Sequence, residues 1–309
     1  MDQNEVSDRE LSDDQANTAR DAVVVIPSQH NAVTTPSAGQ MPCPTCSGGT
    51  ASDSSSYVYA LGRIDARFPD PSVEKEYAQA TGRTGTAGLT DRQALNAVLS
   101  MRENRYLVRQ LCWMLTIEGL ETYLLQPRHT GDFDLLVEAL RPTPSPLDVD
   151  VVIGTRGGIA PPELCAGLMI PIVIFDQIYS FNRDAVVEAV PRPEKMSAEE
   201  FAPVVRELFE RNLQLADNAG ASDDHRALNY LAMRYPAIYA TAAEQYGRES
   251  SLSGVDVRPS RLSGIRKIVD VVFSYTNRKT DVTDKYFVRV DVTGAFPFLV
   301  TKMSPYYDR

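Results

Sequence analysis

Apolar positions cluster in runs of two kinds along the chain. Tyr57 to Ile64, Val149 to Ile153 and Ile170 to Phe175 are short and rich in β-branched and aromatic residues, the pattern of buried strands. Pro69 and Pro71 end the first before a polar helix over 73–80, and a Gly- and Pro-bearing loop containing Cys165 separates the other two. Thr90 and Gln93 have capping-box spacing, and Leu95, Val98, Leu99 and Met101 continue from them at helical spacing. Tyr106 to Leu125 is broken at Glu118–Gly119, which predicts a hairpin, with a helix running through Cys112 as the competing reading.

Further on, a short helix over 134–140 is followed by RPTPSP, which excludes regular structure. Residues 197–217 and 223–246 read as helices starting at Ser197 and Ser222, the second kinked at Tyr235–Pro236. The period then shortens: 268–275, 286–292 and 298–303 read as a three-stranded antiparallel meander joined by NRKTDVTD and the Thr293–Gly294 turn. Without an internal repeat or a nucleotide fingerprint, the fold class expected is α+β, an antiparallel or mixed sheet packed with helices.

Residues 1–42 break this pattern. They hold no aromatic residue, carry seven carboxylates against two arginines and end in TTPSAGQMP, so they are expected to be a disordered acidic tail whose one apolar run is Val23 to Ile26. A cysteine knuckle and serine-rich linker fill 43–56, and the packed domain is expected from Tyr57, the first aromatic, to 309.

The net charge of −10 opposes phosphate backbones, which argues against non-specific nucleic-acid binding. No apolar window reaches transmembrane length and the N-terminus lacks a signal-peptide pattern, so a cytoplasmic protein with no membrane partner is expected.

In a reducing compartment four cysteines suggest metal or redox chemistry before crosslinks. Cys43 and Cys46 have knuckle spacing in CPTC, and Cys112 and Cys165 would complete a tetrahedral, structural zinc site with no open position for substrate. Two alternatives stand beside it: Cys112 and Cys165 as inert buried thiols among Leu111, Trp113 and Leu164, and a redox role for CPTC.

Other chemistry is sparse. His225 beside Asp223 and Asp224 reads more simply as helix-start electrostatics than as a catalytic base, and His129 lies in a loop. GTRGG (154–158) lacks the lysine and hydroxyl of a phosphate loop and reads as a turn between strands. Arg102, Arg105 and Arg109 form one basic cluster, and Arg258, Arg261, Arg266 and Lys267 another. Either would grip an acidic peptide, although solvated faces are the commoner use of such residues. Tyr275, Tyr286, Tyr306 and Tyr307 would serve an added peptide strand at an open edge of the meander, core packing or a homodimer.

The segments YVYALGRIDARFP, SVEKEYAQATGR, LTDRQALNAVLSMRENRYLVRQLCWMLTIEGLETYLLQPR, PIVIFDQIYSF, ALNYLAMRYPAIY and RLSGIRKIVDVVFSYTNRKTDVTDKYFVRVDV resemble the C-terminal domain of cyanobactin maturation proteins of the PatA/PatG type. The resemblance runs from about Tyr57 to the C-terminus and implies a role in making ribosomal peptides that are modified after translation. In that family the domain follows a subtilisin-like protease or macrocyclase. This chain has none of the serine, histidine and aspartate motifs of such a protease, so that activity is not carried over. The expectation is a zinc-stabilised accessory protein that binds a precursor peptide or a modifying enzyme. The alternative is an enzyme acting on the precursor through a site that no motif reveals.

Overall fold

Successive side chains of a strand point to opposite faces, so a strand whose every position is apolar must be covered on both sides. The computed structural model describes residues 56–182, 184, 192, 197–215 and 217–307, all in one compact unit. The expected acidic tail, its Val23 to Ile26 run, and Cys43 and Cys46 lie outside them. Five strands close a barrel in the order β1 (Tyr57–Arg67), β2 (Cys112–Ile117), β3 (Leu120–Pro127), β5 (Pro171–Asn182) and β4 (Asp148–Ile159). Neighbours are antiparallel except β3 and β5.

Val58, Ala60 and Val152 pack in one core with α1 (Pro71–Thr84), α2 (Asp91–Leu99), α3 (Arg105–Gln110) and α4 (Phe133–Leu140). Their neighbours Tyr59, Leu61, Val151 and Ile153 join a second core with α5 (Ala198–Leu215), α6 (Asp223–Arg234) and α7 (Ala237–Gly247). That core also takes one face of a four-stranded antiparallel sheet, β6 (Ser250–Pro259), β7 (Ile268–Asn277), β8 (Thr283–Asp291) and β9 (Phe298–Pro305). The continuous hydrophobicity of β1 and β4 thus reflects two cores.

β1 changes partner along its length. Tyr57 to Gly62 pair with β4, and Arg63 to Arg67 pair with β2. The loop between α5 and α6 lies along the first half: the amides of Tyr59 and Leu61 donate to the carbonyls of Gly220 (3.2 Å) and Asn218 (2.8 Å). Asn229 of α6 donates from Nδ2 to the Tyr59 carbonyl at 2.9 Å.

Local signals in the sequence translate directly. The Thr90–Gln93 capping box opens α2, Ser222 accepts the His225 amide at 3.2 Å to cap α6, and Tyr235–Pro236 divides α6 from α7. Glu118 and Gly119 form the tip of the β2–β3 hairpin, and the helix before it stops at Gln110, so Cys112 starts a strand.

Two expectations require correction. The C-terminal sheet has four strands, because β6 (SSLSGVDVRP), too polar to stand out by pattern, pairs with β7 over nearly its whole length. GTRGG is part of β4, not a turn: a Cβ on Gly154 would collide with the β5 backbone at Ile174 and Phe175, so glycine here permits close strand contact. Among the described residues no helix is long and apolar enough to cross a membrane.

Candidate functional site

The sulfur chemistry departs from the sequence reading. Cys112, opening β2, and Cys165, in the loop between β4 and β5, are joined in a disulfide and buried with Met114, Leu124 and Ala160. The structure therefore brings together two of the four expected zinc ligands, but as a bonded pair without a thiolate to offer. Cys43 and Cys46 are outside the described residues, and among the described ones no group of three or more His, Cys, Asp or Glu side chains is placed to hold a metal.

The arginine clusters separate. Arg102, Arg105 and Arg109 project from the 3-10 turn at 102–104 and from α3, which packs on the barrel. Arg105 is paired with Asp134 at 2.7 Å, and Arg109 in the last turn of α3 complements the helix dipole. In the second cluster Arg266 faces Asp291 (3.6 Å), Lys267 is bound to Asp223 (2.9 Å) and Arg261 is exposed. Arg258 has a different setting.

Val269, Val271, Phe273, Tyr275, Val288 and Val290 turn one face of the C-terminal sheet into the second core. By strand alternation Asp270, Val272, Phe287 and Arg289 face the other way, with Asp270 opposite Arg289 and Val272 opposite Phe287. Arg289 donates from Nε to Asp270 at 3.0 Å and its guanidinium lies 4.7 Å above the Phe287 ring. The Phe287 and Tyr306 rings meet edge to face at 5.7 Å, and Arg258 reaches from β6 to lie 4.9 Å over Tyr306. Such contacts each contribute about 0.5–1.5 kcal/mol. Val272, opposite Phe287 on this face, is only 3% exposed yet belongs to none of the buried cores.

Tyr306 has a second neighbourhood. With Asp284, Lys285, Tyr286 and Tyr307 it lines an open groove of about 390 Å³ at the start of β8 and the end of β9. The outer sheet face thus offers two guanidiniums, two rings and a concave rim. Of these groups, the sequence singled out Arg258 and Tyr306 but missed Phe287 and Arg289. The alternation in Tyr286-Phe287-Val288-Arg289-Val290 carried the signal, since Val288 and Val290 must point inward.

The remaining tyrosines and the sheet edge behave otherwise. Tyr275 is buried, which pushes its hydroxyl well above the usual tyrosine range. Tyr286 accepts a hydrogen bond from buried Gln245 at 2.9 Å. β9 is not a bare edge: the Tyr235 hydroxyl accepts the Met303 amide at 2.9 Å. Addition of a peptide strand there would have to displace that bond.

Residues 195–306 match the family model described as PatG C-terminal. That C-terminal segment is similar to the PatG C-terminal domain. A solved structure described as "PatG Domain of Unknown Function" shares the fold, with a TM-score of 0.68 at 20% identity over 81% of this chain and 98% of that one. No curated protein matches the chain. The cation–aromatic lattice of Arg258, Phe287, Arg289 and Tyr306 falls wholly inside the PatG-matched segment, whereas Arg102, Arg105 and Arg109 fall outside it. His225 lies 3.7 Å from Asp217, and its backbone amide donates to the capping Ser222 hydroxyl, so its setting is that of a helix start.

Proposed function

We propose that this chain is an accessory protein of cyanobactin-type peptide biosynthesis, and that the outer face of its C-terminal sheet receives an acidic, aromatic-containing stretch of a precursor peptide. The observation that carries the reading is the double placement of Tyr306, stacked with Arg258 and Phe287 while walling an open groove. Arginine and tyrosine are the residue types that dominate recognition surfaces, and guanidiniums form charge-assisted bonds with carboxylates. A modifying enzyme presenting such a segment would dock on the same face.

The test is fluorescence anisotropy with a labelled cyanobactin-type precursor peptide that carries acidic and aromatic residues. Arg258→Ala and Tyr306→Ala should each weaken binding about tenfold, as expected for contact residues worth roughly 1.4 kcal/mol. Unchanged affinity in both variants would overturn the proposal. Mass spectrometry on the same mixture covers the enzyme alternative, because a mass change that needs this chain alone would make it a catalyst.

A structural zinc on Cys43, Cys46, Cys112 and Cys165 is kept in this proposal for the reduced chain alone, since coordination requires thiolates. Elemental analysis of protein prepared with and without reductant tests it.

A further inference from the structure

The barrel rim holds a polar cleft that the PatG reading does not use. It has a volume of about 520 Å³, within the range of sites that hold small ligands, and is bordered by Arg63, Glu118, Asp148, Glu210, Gln214 and Asn218. It opens where β1 passes from β4 to β2, beside the β2–β3 hairpin tip and the last turns of α5.

The charges of this cleft are unequally committed. Asp148 is neutralised by Arg141 at 2.8 Å and accepts the Ser145 amide at 2.7 Å. Arg63, Glu118 and Glu210 form no ion pair among the described residues, and the Oδ1 of Asn218 is buried without a hydrogen-bond partner there. Two free carboxylates against one free guanidinium leave the rim acidic. The setting of Glu118 points the same way. It sits at φ +50° ahead of Gly119 at φ +84°, a two-residue hairpin loop in which Asn, Asp or Gly is the favoured first residue. Glutamate gains nothing there as a turn former, but it extends a carboxylate at the cleft.

We infer that the cleft binds a basic side chain of an extended peptide, its ammonium or guanidinium held between Glu118 and Glu210 while Arg63 takes a neighbouring carboxylate. The paired signs separate a peptide from a simple polyamine, which would have no use for Arg63. This site is distinct from the outer face of the C-terminal sheet and stands or falls separately.

The experiment uses the full chain and fluorescein-labelled Gly-Lys-Gly-Glu-Gly amide, with Gly-Gln-Gly-Gln-Gly amide as the neutral comparison and spermidine as competitor. The lysine peptide should bind about tenfold or more tightly than the neutral one, the difference expected for a charge-assisted hydrogen bond. Glu118→Gln and Glu210→Gln should each remove most of that preference. Arg63→Gln should weaken the lysine–glutamate peptide and leave spermidine competition unchanged. Equal binding of the charged and neutral peptides, which needs no variant to observe, would overturn the inference. So would an absence of binding, or a lysine preference that survives both glutamine substitutions.

Discussion

Asp150 of β4 accepts the backbone amide of Ile64 on β1 at 2.7 Å. Ile64 lies just past the point where β1 leaves β4, so its amide has lost the ladder partner that the preceding residues have. The carboxylate supplies the missing acceptor, and its other oxygen takes the Ser180 hydroxyl at 2.6 Å. One side chain therefore finishes a strand pairing that backbone geometry leaves open.

Replacing it should expose that dependence. Asp150→Ala strands the Ile64 amide and the Ser180 hydroxyl and should cost about 2–5 kcal/mol, while Asp150→Asn keeps an acceptor and should cost less. Burial holds the Asp150 carboxyl above the ordinary aspartate range. A carboxyl raised in the folded state contributes stability that is present below about pH 4 and lost as pH rises through its folded value. Wild type should therefore lose stability relative to Asp150→Asn between acid and neutral pH, read by urea denaturation at each pH.

Gly220 meets β1 from the opposite partner. Its φ is +56°, and an added Cβ would run into the Tyr59 carbonyl. Gly220→Ala should destabilise by at least about 2 kcal/mol through strain and the lost Tyr59 pairing, measurable as a lowered denaturation midpoint. Asn229→Ala should act in the same direction through its bond to Tyr59.

Arg226 is fully buried and ties α6 to the β8–β9 connection, donating to the carbonyl of Val292 at 2.8 Å and pairing with Asp223 at 3.0 Å. Arg226→Ala should cost about 3–5 kcal/mol, since it removes a fully buried side chain and the donor to the Val292 carbonyl, leaving Asp223 with Lys267 alone. Arg226→Lys should recover only part of this, because an ammonium cannot reproduce the planar fork. Thermal unfolding of the three proteins checks the order.

The Cys112–Cys165 bond closes a loop 53 residues long. On a chain-entropy model its removal should cost about 4 kcal/mol. Denaturation with and without reductant measures that cost. The double variant Cys112→Ser, Cys165→Ser should show it in both conditions. About one zinc per chain appearing only with reductant would return these sulfurs to the metal reading, whereas none in either preparation would remove zinc altogether.

The sequence by itself determined the features that depend on neighbours in the chain. The Thr90–Gln93 box, the Ser222 cap, the Tyr235–Pro236 break, the Glu118–Gly119 hairpin and the buried strands at 149–153 and 170–175 are all local pattern, and the family resemblance agrees with the PatG C-terminal match over residues 195–306. What only the tertiary structure decided depends on residues far apart. Barrel closure, the change of partner in β1, the polar edge strand β6 and the pairing of Cys112 with Cys165 leave no period or spacing to read. The same holds for the lattice joining Arg258, Phe287, Arg289 and Tyr306. The physical reason is that hydrogen bonding and capping act over a few residues, whereas strand order and side-chain proximity are set by which apolar faces find one another when the chain collapses.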